Sequence, residues 1–168
     1  MSACRWCLFR VTGRHRTLAL LQELARGEPL SPAGFSLSVH HAPAGLWSIV
    51  RGDDSEMSAL AAAGDGLEHG VLEACGLLAE GAPAALLVVA EQSPAPLYQA
   101  QIDDVPFSYV LALRLCPGED WCLQHHHGAG PRSQWPHALE LVRALCLGYD
   151  QWQHHCKHRQ WNWSCQHH

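Results

Sequence analysis

Charge is scarce in this chain: only 16% of its 168 residues are Asp, Glu, Lys or Arg, and 11 basic against 16 acidic residues give a net charge of −5 with neutral histidines. That balance excludes a domain-wide phosphate-binding surface, so no nucleic acid is expected as a partner. No run approaches the ~18 apolar residues of a membrane-spanning helix, so no membrane span is expected. The opening MSACRWCLFRVTGRHR is broken by Arg5, Arg10, Arg14 and Arg16 before any apolar signal-peptide core can form. The expected location is cytoplasmic, where the eight cysteines stay reduced. Internal repeats are absent, as is the G-x-S-x-G elbow of hydrolases. Gly64 and Gly66 precede a helical pattern, but Asp65 between them would repel phosphate, and no P-loop lysine follows.

What the chain does have is apolar residues, 48% of the total, enough for one packed core. Thr17 caps an amphipathic pattern of Leu18, Leu21, Leu24 and Ala25 that Gly27 and Pro29 stop. Phe35, Leu37 and Val39 alternate as a short strand would, and Pro43 then opens a helix carrying Leu46, Ile49 and Val50. Met57 to Ala63 read as a small-residue strand turning into a helix at Gly64-Asp65. In that helix Asp65 is the N-cap, Glu68 completes a capping box, and Leu67, Val71, Cys75 and Leu78 form one face. Ala84 to Ala90 read as a central strand and Phe107 to Leu115 as a strand with unequal faces. Gly118 to Gln134 read as a loop, and Pro136 starts a last helix that Gly148 ends. The expected class is α/β, a layered mixed sheet with helices.

The segments LALLQELARGEPLSPAGFSLSVHHAPAGLWSIVRGD, DGLEHGVLEACGLLAEG, ALLVVAEQ and PFSYVLALRL, with the tail WPHALELVRALCLG and Trp161-Asn-Trp163, resemble the β-ketoacyl synthase-like N-terminal domain family, of the type called chain length factors. The resemblance implies a thiolase-like fold, the N-terminal half of a ketoacyl synthase. It divides the chain into a divergent segment 1–15, a ketoacyl-synthase-like core 16–116 and a His/Trp-rich region 117–168 with one helix. The family has a longer N-terminal region that supplies the first strand and helix, so the domain is expected to be incomplete at its N-terminus.

In the wider superfamily a nucleophilic Cys stands at the strand-to-helix turn, where the helix dipole lowers its pKa. Here the position holds Gly64 and Asp65, and Cys75 lies ten residues on, roughly 15 Å along the helix. The chain is therefore expected not to condense acyl groups by itself. The resemblance implies instead a heterodimer with a ketoacyl synthase subunit, or self-association, with acyl carrier protein served indirectly, in fatty acid, polyketide or aryl polyene biosynthesis. It implies no cofactor. The strand before the turn, Met57, Ser58, Ala59, Leu60, Ala61, Ala62 and Ala63, is the implied dimer contact, and Phe35 with Leu37 the implied pocket wall.

A second reading comes from the residues alone. Nine of the 13 histidines lie between Trp121 and His168. Cys122 and His125 stand in C-x-x-H spacing, and His154, His155, Cys156 and His158 add borderline-soft ligands, as in a His/Cys-rich metal-binding module. The two groups are ~30 residues apart with a predicted helix between them, outside zinc-finger spacing. Cys4 and Cys7 form a C-x-x-C with no preceding strand, and His40-His41 lacks a neighbouring nucleophile. Trp161 and Trp163 fit a terminal strand that packs one face on the domain better than a base-stacking platform.

Overall fold

The computed structural model describes residues 5–9, 14–62, 64–98, 105–131 and 133–166. Four strands form the main sheet: β1 (Arg5–Phe9), β2 (Met57–Leu60), β3 (Ala85–Glu91) and β4 (Tyr109–Leu115). Their order is β2-β1-β3-β4; β1 runs parallel to β2 and β3, and β4 is antiparallel to β3. The sequence reading put no element in the divergent N-terminal segment, yet β1 lies inside the sheet, joining β2 to β3. Cys4 lies outside the described residues, as does Ala63 at the end of the small-residue run.

The helices are α1 (Arg14–Ala25), α2 (Pro32–Ser36), α3 (Ala42–Arg51), α4 (Gly66–Ala79) and α5 (His137–Leu147). The Phe35, Leu37 and Val39 alternation does not make a strand. Ser31 caps the turn by accepting a hydrogen bond from the Gly34 amide, and Pro32 occupies the first turn, so the local signals close α2. Helices α3 and α5 both end at a glycine in the left-handed region, Gly52 (φ 60°) and Gly148 (φ 68°), where a side chain would be strained. Among the described residues no helix is long and apolar enough to cross a membrane.

A second sheet holds β5 (Trp121–His127), β6 (Gln151–Cys156) and β7 (Arg159–Cys165), antiparallel in the order β5-β7-β6. The expected loop at HHH is thus a strand, because β7 supplies a full ladder from Trp121↔Cys165 to His127↔Arg159. Strands β6 and β7 join through Lys157-His158, with Lys157 at φ 56°, the positive φ that tight two-residue hairpins require. Pairing puts Trp152, His154 and Cys156 on the same face as Trp163, Trp161 and Arg159. That face meets α4 and α5: Leu67, Val71, Leu87, Val89, Leu141 and Trp163 form one buried cluster. Each large side chain in it contributes about 1.5–3 kcal/mol by leaving water.

Candidate functional site at the start of helix α4

The turn after β2 delivers two acids into the interior, Asp65 at the N-cap of α4 and Glu68 in its first turn, both 0% exposed. The expected capping box is not what they form. The Asp65 side chain makes no cap bond to the helix; it turns toward the second sheet. Arg159 Nη2 donates to Asp65 Oδ1 at 2.9 Å, Arg159 Nε to Oδ2 at 2.5 Å, and Trp161 Nε1 to Oδ2 at 3.1 Å. Burial pushes the Asp65 carboxyl up, but the hydrogen bonds from Arg159 and Trp161, with the charges of His69 and Arg159, outweigh it and hold it below its ordinary value. The anion also sits at the positive end of the helix dipole.

Glu68 makes a separate junction. His154 Nδ1 approaches Oε1 at 2.6 Å, and His137 Nδ1 lies 3.0 Å from both carboxylate oxygens. The two imidazoles stack, with centroids 4.2 Å apart and planes 22° from parallel. Burial raises the Glu68 carboxyl, yet these two partners bring it down to about 2. Burial dominates His154 in the other direction, lowering its pKa in spite of Glu68. His154 Nε2 is buried without a hydrogen-bond partner among the described residues.

One thiol does reach the corner, although none is near in sequence. Cys156 Sγ lies 3.5 Å from where a Cβ on Gly64 would stand. Burial and the adjacent Asp65 charge push this thiol up, the reverse of what a nucleophile needs.

The other sequence candidates are spread over the molecule. Met57, Ser58, Ala59 and Leu60 form β2, half-buried at the sheet edge; Ala61 is exposed and Ala62 half-buried. Phe35 is exposed on α2, whereas Leu37 helps line a cavity of about 140 Å³ with Arg16, Val39, Pro43, Leu46 and Gln92. Cys122 and His155 lie on the outer face of the second sheet, His125 and Cys156 on its inner face, and His158 in the hairpin turn. Among the described residues these five form no cluster of metal-ligating atoms; the group that does is Glu68, His137 and His154. Sequence reading missed Arg159, Trp161 and His137 as partners of α4. The period-two spacing of Trp152, His154 and Cys156, mirrored by Arg159, Trp161 and Trp163, was the available signal for a hairpin with one inward face.

The family model for the β-ketoacyl synthase N-terminal domain matches residues 12–164. No curated protein matches the chain. A solved structure described as the ketosynthase ApeO in complex with its chain length factor ApeC, from Xenorhabdus doucetiae, contains a similar chain. The likeness has 26% identity and a TM-score of 0.89, covering 98% of this chain and 70% of that one.

Proposed function

Because the chain belongs to the β-ketoacyl synthase N-terminal domain family, we propose that it is a non-catalytic, chain-length-factor-like subunit that pairs with a ketosynthase during acyl-chain elongation. Its fold is the thiolase-like one that the sequence resemblance implies. The observation that carries the reading is Asp65. At the strand-to-helix turn, which this reading takes as the nucleophile position of a condensing enzyme, this chain has a buried carboxylate whose two oxygens are occupied by Arg159 and Trp161. A carboxylate held in that ion pair cannot form the acyl thioester that a cysteine would carry. Cys156, the thiol beside the corner, has its pKa raised and is 8% exposed, so it does not replace the missing nucleophile.

A ketosynthase partner is supported by the described content of the similar structure, a ketosynthase bound to a chain length factor. In this reading β2 is the contact across the dimer axis. It lies at the end of the β2-β1-β3-β4 order, so one side of its backbone has no strand beside it among the described residues. Acyl carrier protein is then met through the partner, and aryl polyene or polyketide-type assembly is the expected setting.

Co-expression with a ketosynthase subunit tests this directly. The expected result is a 1:1 complex on a sizing column, with no acyl group on this chain by intact-mass spectrometry after exposure to an acyl thioester. Elongation or acylation by the isolated chain, or failure of any ketosynthase encoded in the same genome to bind it, overturns the proposal.

A further inference from the structure

We propose that Glu68, His137 and His154 form a site for one divalent transition-metal ion of the zinc class. Three separate elements, α4, α5 and β6, deliver one ligand atom each, and all three residues are buried. Two imidazole nitrogens and one carboxylate oxygen are the donor set of three-ligand zinc sites, with a fourth position left to water. Zinc bonds of about 2.0–2.1 Å at tetrahedral angles place ligand atoms about 3.3 Å apart. The two imidazole-to-carboxylate separations, 2.6 and 3.0 Å, are shorter than this, and all three ligand atoms lie within 4.8 Å of one another, so outward side-chain rotations open the junction.

Charge points the same way. Asp65, one turn earlier, has its negative charge matched by the Arg159 guanidinium. No Lys or Arg hydrogen-bonds to Glu68 among the described residues; its partners are the two histidines alone. The burial of Nε2 without a partner leaves the Glu68 junction as the polar engagement of the His154 ring. Bound through Nδ1, each neutral imidazole would carry its single proton on Nε2, and the ion would stand between Nδ1 and the carboxylate.

The test separates this site from the exposed histidines of β5. Full-length protein loaded with Zn²⁺ and dialysed is expected to keep one equivalent by atomic emission. Co²⁺ in its place is expected to give the visible absorption of a four-coordinate ion. A variant with His125, His126 and His127 all replaced by Ala is expected to keep both signals; Glu68→Gln and His137→Ala are expected to lose them. Because a change in the core can unfold the chain, the Co²⁺ spectrum of the unsubstituted protein decides. Absence of a four-coordinate band, or loss of the zinc equivalent in the triple alanine variant, overturns the site and leaves a hydrogen-bonded lock. Either result is independent of ketosynthase pairing.

Discussion

Replacing Arg159 by Ala removes the only guanidinium that hydrogen-bonds to Asp65 among the described residues, from a carboxylate that is 0% exposed while Arg159 covers it. Stripping one partner from a fully buried ion pair costs about 3–5 kcal/mol. Here the Arg159 side chain is 36% exposed, so solvent screens part of the interaction. The Trp161 indole still donates to Oδ2. The expected loss is therefore about 2–3 kcal/mol. For a chain of this length that lowers the melting temperature by roughly 4–12 °C. Asp65→Asn removes the charge, keeps an acceptor for Trp161 and frees the guanidinium toward solvent, at a cost of about 1 kcal/mol. The double variant should be more stable than the sum of the two losses predicts, by about 1–2 kcal/mol. Urea unfolding followed by tryptophan fluorescence measures all four proteins. A loss under about 0.5 kcal/mol for Arg159→Ala, with strict additivity in the cycle, would refute the argument that the guanidinium holds the buried acid in place.

Two further outcomes are expected. The pKa of folded Asp65 lies below its ordinary 3.8, so its stabilising contribution is present above that value and is lost as the pH falls through the lower folded one. Urea midpoints of the native protein and of Asp65→Asn should thus converge in acid below pH about 4 and diverge toward neutrality; parallel curves would contradict this. At exposed Gly130 an added Cβ would meet only the ring end of the half-buried His155 side chain, which can rotate away, so Gly130→Ala should change stability by less than about 1 kcal/mol in a thermal melt; a larger loss would show that the His155 ring is locked in place.

The elements that sequence reading located are those whose signals are local. Gly148 stops α5, and large residues at alternate positions from Tyr109 to Leu115 turn one face of β4 inward. Leu87 and Val89 were found because a continuous apolar run leaves few alternatives to a buried strand. The misses have a common cause. Strand β5 is largely polar, and only its pairing with β7 makes it a strand; His137 and the β6 residue His154 acquire their roles from Glu68, 69 and 86 positions away. Asp65 and Glu68 were legible as helix-starting acids, yet a cap and a tertiary anchor have the same spelling in sequence. What separates them is whether arginine, indole and imidazole groups arrive from elsewhere in the chain.

The lateness of those groups bears on how the chain matures. Helix α4 is synthesised well before Arg159 and Trp161, and until the final hairpin emerges its first turn carries two carboxylates that can remain ionised only by staying hydrated. Until then that end of the helix is best served by bulk solvent, so docking of β6 and β7 is what exchanges water for arginine, indole and imidazole around the two acids.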